Sequence, residues 1–343
     1  MPGSRMSGNA PPVPVESFYA AVRGHYLAVK GVAHPPGRLV SVLAWRREPG
    51  RYVRAGRLDE TYELLAAVLP EALRFDDVAG QVIPAVPLSK VEWVIAPAER
   101  RQVAPSDRLS ERARQLMGLI DPDGELGVRL TGSMLLGLHD DYSDIDLVVF
   151  SASRVQDVAE ALEGLRRKGS IVSGRDSVAR DVVSKRADSA IPVEVWIELE
   201  SRKRLVGEFR GTHFSVKAVP RPEEFWEPYG TRRWRALGRC VVVAEVTDAR
   251  FGATTPNAYG IEAEEVLMGP ERASEAVRVE SMRSRFSEAA SLGERVIASG
   301  RLEVDLLSEE CRVFLGSDPR DAILPLELLR GRREELVRKV TAP

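Results

Sequence analysis

Cysteine is almost absent from this chain, which contains only Cys240 and Cys311. Two cysteines so far apart in the sequence cannot form a disulfide-dense scaffold, and they lack the spacing typical of a zinc site. We therefore expect both to be buried, apolar-like thiols in a reducing compartment. This use of cysteine predicts a cytoplasmic protein.

Long apolar runs are also missing, because no stretch of the sequence approaches the roughly 20 residues needed to cross a bilayer. The segment from Met1 to Val15 is rich in proline, glycine and serine and lacks the apolar centre of a signal peptide. Residues 1–15 are therefore predicted to be a disordered N-terminal tail, and no membrane partner is expected.

Excess charge of one sign is small, since 49 basic and 51 acidic residues give a formal net charge of -2. This charge argues against a generally basic surface that coats nucleic acid, leaves a local basic groove open, and disfavours a processive polymerase with an extended basic track. Asparagine and glutamine are scarce as well, with two and four occurrences. Depletion of these heat-labile residues is typical of thermophilic proteins.

At 343 residues the chain is long for one domain. Proline-rich stretches and changes in residue pattern divide it into an N-terminal α+β domain (16–105), a central domain (106–224) and a C-terminal β-rich domain (225–343). Short strands with glycine turns predict that the last of these is barrel-like. The predicted fold class is α+β, with a mixed sheet at the centre of the middle domain.

The central segment contains the residues typical of a catalytic site. A strand is predicted over residues 127–131, and Gly132 and Ser133 open a short helix directly after it. A second apolar strand, over residues 144–150, begins with Asp144 and Asp146. A glycine-serine turn and an Asp-x-Asp pair so close together favour nucleotidyl transfer.

Asp144 and Asp146 are the candidate catalytic and metal-ligating residues. Residues i and i+2 of a strand share one face, so the two carboxylates lie roughly 6.5 Å apart along it. Close carboxylates repel each other on a largely buried strand, and a divalent cation removes that cost. Hard oxygen ligands favour Mg²⁺ or Mn²⁺, and two such ions can activate a hydroxyl and stabilise a leaving pyrophosphate.

A nucleotide-binding role is predicted for Gly132, Ser133 and Lys217. Backbone N–H groups at a helix start suit a phosphate, glycine permits close approach of the ligand, and the serine hydroxyl adds a donor. Lys217 shares strand parity with His213 and Ser215 and is a candidate contact to a triphosphate.

A two-metal site usually needs a third carboxylate, for which Glu194 is the candidate. A strand is predicted over residues 192–199, in which the odd positions are apolar and the even ones carry Glu194, Trp196 and Glu198. One face would then lie in the core and the other would face the Asp pair. Glu198 is the alternative, because it lies on the same predicted face.

The pattern Gly-Ser-x3-Gly-x5-Ser-Asp-Ile-Asp-Leu-Val-Val, which starts at Gly132, resembles the signature of the DNA polymerase beta-type nucleotidyltransferase superfamily. The whole chain also resembles a group of archaeal predicted nucleotidyltransferases with three domains. The resemblance implies a mixed sheet with helices on one side. It further implies that Asp144, Asp146 and a later acidic residue bind metal, although that residue is more usually Asp than Glu.

The sequence thus predicts an enzyme that moves a nucleoside monophosphate from an NTP such as ATP to a hydroxyl, with release of pyrophosphate. The acceptor is left open among an RNA or DNA end, a protein side chain and a small molecule. The alternative is a non-catalytic module that binds a nucleotide or nucleic acid and retains the metal site. The sequence does not indicate an oligomeric state.

Overall fold

The computed structural model describes residues 14–56, 58–173, 178–179, 182–183, 186, 189–225, 227–316 and 318–341. The fold is mixed, with 26% of residues in helices and 37% in strands, in agreement with the predicted α+β class. Most of the predicted disordered tail, residues 1–13, lies outside the described part of the chain.

The following α-helices of the described residues are numbered in chain order. They are α1 (Leu58–Val68), α2 (Arg108–Ile120), α3 (Gly132–Leu135), α4 (Val155–Arg167), α5 (Val193–Ser201) and α6 (Arg333–Thr341). Short 3₁₀ turns occupy Pro70–Ala72, Leu88–Lys90, Arg100–Gln102, Glu271–Glu275, Ser284–Phe286 and Leu326–Leu329.

The N-terminal sheet has seven strands in the order β5-β6-β3-β2-β1-β7, with β4 paired to β3. Its strands are β1 (Tyr19–Val22), β2 (His25–Val29), β3 (Arg38–Glu48), β4 (Arg51–Arg54), β5 (Leu73–Asp76), β6 (Gln81–Pro87) and β7 (Trp93–Ile95). All of these pairings are antiparallel, and helix α1 packs its buried Leu65 against the same core as Leu27 and Leu43.

The central sheet has five strands in the order β11-β12-β10-β9-β8. They are β8 (Ala98–Glu99), β9 (Arg129–Leu130), β10 (Ile145–Val149), β11 (Val206–Phe209) and β12 (Thr212–Ala218). Strands β10 and β12 run parallel and the other pairs are antiparallel. The mixed sheet expected from the resemblance is therefore present.

Helices α2 and α4 cover one face of this sheet. Their buried residues share one apolar core with Ile145, Leu147 and Val149, because alternate positions of β10 point to the same side. Helix α2 is capped by Asp107, whose carboxylate accepts the N–H groups of Leu109 and Ser110. The other face of β10 is left to carry Asp146.

The C-terminal sheet contains long, strongly paired strands. They are β13 (Trp234–Phe251), β14 (Asn257–Met268), β15 (Ala276–Ser281), β16 (Arg295–Asp305), β17 (Cys311–Leu315) and β18 (Ala322–Pro325). Pairing runs β13-β14-β15-β17-β16 and returns from β16 to β13, and β18 is added at β16. The predicted β-rich character is present, while a barrel-like domain stays a prediction.

One predicted element is wrong. The predicted strand over 192–199 is helix α5, because its apolar residues pack as one side of a helix against the C-terminal core.

A small apolar cluster joins the N-terminal and central sheets. Val15 and Val32 pack there against Val148 of β10 and Val219, which follows β12. The Thr131 hydroxyl also donates a hydrogen bond to the carbonyl of Ser17 at 2.7 Å. These contacts place the N-terminal strands beside the segment that carries Gly132 and Asp146.

None of the helices in the described part of the chain has the length and apolar character needed to cross a membrane.

Candidate active site

The acidic pair lies at the start of the central parallel strand. Asp144 immediately precedes β10 and Asp146 is its second residue, in register with Ser215 of the parallel strand β12. Asp144 and Asp146 are partly exposed, whereas Ile145 and Leu147 are buried. The alternation predicted from the sequence therefore holds, and both carboxylates project from the side of the strand opposite the core.

Asp146 is held by contacts from two directions. The Ser215 hydroxyl donates to its Oδ1 atom at 3.2 Å, and its backbone carbonyl accepts the N–H of Thr131 at 2.9 Å. A Cβ atom on Gly132 would lie 2.3 Å from Oδ2 of Asp146, and the φ of Gly132 is +74°. Only glycine fits this position, so the glycine-serine turn packs directly on the carboxylate.

The predicted phosphate-binding turn forms, but its helix is short. Helix α3 has four residues, of which Gly132 is the first. The N–H groups of a first helical turn have no partner within the helix. Ser133 is partly exposed and lies in the wall of the cavity that contains the Asp pair. Phosphate binding by Gly132 and Ser133 stays a prediction that this geometry permits.

Asp144 lies beside a histidine from the neighbouring strand. The His213 Nδ1 atom is 3.8 Å from Oδ1 of Asp144, which is too long for a hydrogen bond. Nδ1 is buried and has no hydrogen-bond partner among the described residues. His213 therefore adds a nitrogen atom at the edge of the carboxylate pair.

A tight turn leads into the acidic pair. Oδ1 of Asp140 accepts the N–H of Tyr142 at 3.0 Å and the hydroxyl of Ser143 at 2.9 Å. These hydrogen bonds, with that of Ser143 the strongest, keep the pKa of Asp140 below its ordinary value. The turn leaves the Tyr142 ring 94% exposed, on the wall of the same cavity.

The structure does not contain the strand on which the prediction of Glu194 as third carboxylate of the metal site is based. That prediction rests on strand alternation, but Glu194 is exposed in the first turn of α5, and residues i and i+2 of a helix do not share a face. Neither Glu194 nor Glu198 lines the cavity that contains Asp144 and Asp146. A catalytic or metal-ligating Glu194 stays a prediction without support from the fold.

The N-terminal sheet contributes charged residues that sequence reasoning missed. Glu16, which precedes β1, accepts a hydrogen bond from the Lys217 ammonium at 3.0 Å and another from Lys30 at 3.2 Å. Tyr19 of β1 lies close enough to Asp146 that burial, together with this negative charge, raises the pKa of its phenol. No spacing in the sequence links residues so far apart, so the sequence contains no signal for this contact.

Burial and charge act in opposite directions on Lys217. Burial alone would lower its pKa, but the Glu16 carboxylate, its hydrogen bond and the nearby Asp146 outweigh burial and raise the pKa above the ordinary value. Lys217 therefore stays protonated beside the acidic pair. Its predicted contact with a triphosphate is a proposal that this charge favours.

A cavity of about 1750 Å³ opens at the Asp pair and extends between the three sheets. Ser133, Asp144, Asp146 and His213 line it at the central sheet, and Arg283 lines it on the C-terminal side. Ligand pockets for small molecules are typically about 300–1,000 Å³. The space is therefore sufficient for a nucleotide together with an acceptor group.

The oxygen atoms of Asp144 and Asp146 suit the binding of Mg²⁺ together with a nucleotide. Among the described residues, no group of three or more His, Cys, Asp or Glu side chains could hold an ion. Two carboxylates and the Ser215 hydroxyl nevertheless supply hard oxygen atoms, and Mg²⁺ is usually bound by one or two carboxylates plus the phosphates of a substrate. The residues fit an Mg²⁺–nucleotide complex rather than a cage made by protein alone.

Comparison with known proteins agrees with this geometry. Residues 109–203 match the family described as nucleotidyltransferase domain. The chain is also 24% identical over 338 residues to an uncharacterized protein of Methanocaldococcus jannaschii, an alignment that covers 90% of this chain and 97% of that protein. No solved structure matches. The matched segment contains Gly132, Ser133 and both aspartates, and it ends before β12.

Proposed function

Because residues 109–203 form a nucleotidyltransferase domain of the DNA polymerase beta-type superfamily, we propose that this protein transfers a nucleoside monophosphate from an NTP to a hydroxyl. The acceptor oxygen attacks the α-phosphorus and forms the new ester bond. The bond from the α-phosphorus to the bridging oxygen breaks, and pyrophosphate leaves with that oxygen. The acceptor proton passes to water or to a carboxylate at the site.

In this proposal Asp144 and Asp146 bind Mg²⁺, or Mn²⁺, together with the phosphates of the NTP. The bound cation supplies charge neutralisation and a Lewis acid at the reacting phosphate. Ser215 fixes the orientation of Asp146 through its hydrogen bond. Gly132 and Ser133 bind the β- and γ-phosphates, and Lys217 adds a positive charge near them.

One observation carries the proposal: the close packing of Gly132 against Oδ2 of Asp146. A turn suited to phosphate and a carboxylate suited to Mg²⁺ are there in direct contact. An Mg²⁺–triphosphate needs both groups at one place. A purely structural role would not explain why two carboxylates face a wide cavity from an apolar strand.

Transfer of label tests the proposal. The full chain is incubated with α-labelled ATP and the other NTPs, with Mg²⁺ or Mn²⁺, and with RNA, protein or small-molecule acceptors. We expect the wild type to incorporate label and release pyrophosphate, and Asp144→Asn to lose both. Asp141→Asn is the matched control, because Asp141 is exposed in the preceding turn. Equal incorporation by wild type and Asp144→Asn would contradict the proposal.

A second candidate is a non-catalytic nucleotide- or nucleic-acid-binding module. The observation that favours it is that no cluster of three metal-binding side chains occurs among the residues with a defined position. Such a module would bind an NTP tightly in the presence of Mg²⁺ without releasing pyrophosphate. The labelling experiment therefore separates the two candidates.

The finer architecture is also proposed rather than established. We propose that residues 16–105, 106–224 and 225–343 are three domains and that the last is barrel-like, as its cyclic strand pairing suggests. Helix α5 belongs to the central segment by sequence but packs its Val195, Trp196 and Leu199 into the C-terminal core. The last two domains are therefore expected to unfold together. A cytoplasmic location, a thermophilic source and an RNA, DNA, protein or small-molecule acceptor stay proposals.

A further inference from the structure

A cluster of three charged side chains lies next to the proposed metal site. Glu16 is 1% exposed, and its Oε1 atom accepts hydrogen bonds from Lys30 at 3.2 Å and Lys217 at 3.0 Å. Its Oε2 atom accepts the backbone N–H of Gly31 at 3.0 Å. Two lysine side chains thus share one carboxylate, so the basic groups of the cluster outnumber the acidic one.

The cluster borders a small cavity. The cavity has a volume of about 100 Å³, several times the roughly 30 Å³ occupied by one water. Its lining includes all three residues of the cluster together with Gly132 and Asp146. The lysine side chains remain 32% and 25% exposed, so a ligand can reach them.

The charge of this cluster is linked to that of the metal site. Without a cation, the Asp146 carboxylate, which lines the same small cavity as both lysines, is the further negative charge beside them. When a divalent ion is bound to Asp146, that carboxylate is neutralised by the ion instead. The two lysines then need another anion, because an uncompensated charge in a mostly buried place is costly.

Other positively charged side chains lie near Lys30 of this cluster. Burial lowers the pKa of Lys30, and although Glu16 opposes this effect, the positive charges of Lys217 and Arg283 lower the pKa further. Gly31 is so close to the C-terminal sheet that a Cβ there would lie 2.4 Å from Cε of Met282. The N-terminal and C-terminal sheets therefore meet beside the cluster, and both contribute cations to it.

We propose that Lys30 and Lys217, positioned by Glu16, form an anion subsite that binds a polyphosphate, either the β- and γ-phosphates of the NTP or the pyrophosphate product. This inference rests on the proposed function for the source of the polyphosphate. Ammonium groups bind phosphate oxygens through charge-assisted hydrogen bonds. The N-terminal domain would then complete the active site, because it supplies Lys30.

Calorimetric titration with Mg²⁺-tripolyphosphate and Mg²⁺-pyrophosphate tests the subsite in the full chain. We expect Lys30→Gln to weaken binding by about tenfold or more, since one charge-assisted hydrogen bond is lost. Lys30→Arg should retain most of the affinity, because it keeps the charge. Lys90→Gln is the matched control, because Lys90 is exposed in the same N-terminal segment, and it should bind as the wild type does.

Glu16→Gln is a second test variant, and it should not weaken binding. It keeps the shape of the side chain but removes the negative charge, so polyphosphate should bind as tightly as in the wild type or more tightly. Unchanged affinity in Lys30→Gln would overturn the subsite. A loss in Glu16→Gln as large as in Lys30→Gln would also overturn it, because the cluster would then serve folding alone.

The outcome also distinguishes this inference from the proposed function. If tripolyphosphate binding depends on Lys30 but no label is transferred from any NTP, the proposed transferase function is contradicted and the anion subsite is supported. If label is transferred and the KM for NTP is the same in wild type and Lys30→Gln, the anion subsite is contradicted and the transferase function is supported.

Discussion

At the scale of single residues, Gly132 is the position that tolerates least change. Gly132→Ala would place a methyl group 2.3 Å from Oδ2 and 2.8 Å from Cβ of Asp146, at a φ of +74°. We expect the carboxylate to be displaced and Mn²⁺ affinity to fall at least tenfold. The left-handed backbone adds about 1–2 kcal/mol of destabilisation.

Gly137→Ala is the matched control for this substitution. Its φ is +66°, but no atom lies within 4 Å of the added Cβ. Gly137→Ala should therefore lower the thermal stability, because of its left-handed backbone, without lowering the affinity for Mn²⁺. Equal Mn²⁺ affinity in the two variants would show that contact between the turn and Asp146 does not matter.

Glu194 is the residue for which sequence and structure lead to different expectations. Its exposed position on α5 predicts that Glu194→Gln binds Mn²⁺ with wild-type affinity, whereas Asp146→Asn does not. Metal titration followed by electron paramagnetic resonance measures both affinities. A weaker Mn²⁺ site in Glu194→Gln would restore the role that the sequence suggested.

The Asp pair and the glycine-serine turn could be predicted from the sequence because both are local. Gly132, Asp144 and Asp146 lie within one strand-turn-strand unit, where periodicity and turn chemistry fix the geometry. The contact of Lys30 with Glu16 and Lys217 could not be predicted in this way. It depends on how two sheets pack, and a single sequence does not contain that information.

At the scale of elements, the segment 192–199 shows that a short apolar pattern does not by itself distinguish a strand from a helix. An alternating run of seven or eight residues fits a strand, but a helix whose neighbours are all apolar accepts the same residues. Trp196 packs against Phe286 at a centroid distance of 6.3 Å, and Trp196, Ile197 and Leu199 are buried together. Packing against the C-terminal core therefore determines that segment 192–199 is a helix rather than a strand.

Glu224 links the segments that follow strands β10 and β12. Its carboxylate accepts hydrogen bonds from the Ser151 hydroxyl, after β10, and from the N–H groups of Ala152 and Arg221, all at 2.9 Å. Burial opposes ionisation, but these hydrogen bonds dominate and lower the pKa of Glu224 to about 2. The ionised form is therefore the one that stabilises the fold.

This lowered pKa predicts the direction of an acid effect. Glu224 contributes its full stabilisation above its ordinary pKa of 4.5 and loses it as the pH falls towards 2. At neutral pH, Glu224→Gln should lower the free energy of unfolding by on the order of 3 to 4 kcal/mol, since the pKa falls from 4.5 to about 2 and one pKa unit corresponds to about 1.4 kcal/mol.

Urea unfolding of wild type and variant at several pH values measures this effect. The difference between them should shrink below pH 4.5. Glu223→Gln is the control, because the Glu223 side chain is 66% exposed and should contribute little. A difference between wild type and Glu224→Gln that stays constant down to pH 2 would contradict the assigned pKa.

At the scale of the whole molecule, the N-terminal sheet is expected to be part of the active site. Val32 is buried with Val148 and Val219 in the cluster that joins it to the central sheet. Val32→Asp would bury an unpaired carboxylate there, at a cost of several kcal/mol. We expect polyphosphate affinity to fall while Mn²⁺ binding by Asp144 and Asp146 persists.

Val82→Asp is the control for this substitution, because Val82 of β6 is 50% exposed and should tolerate charge. Thermal unfolding and the two titrations are compared for wild type and both variants. Wild-type affinity for polyphosphate in Val32→Asp, with the expected loss of thermal stability, would show that docking of the N-terminal sheet is not needed for the site.

The proposed function requires that Asp144 and Asp146 bind a divalent cation together with a nucleotide. Titration of Mn²⁺ into the full chain, followed by electron paramagnetic resonance with and without a non-hydrolysable NTP analogue, measures this binding. We expect an Mn²⁺ site that the analogue tightens, that Asp144→Asn and Asp146→Asn each abolish, and that Asp141→Asn leaves intact. An Mn²⁺ site that survives loss of either aspartate, or that does not respond to the analogue, would contradict it.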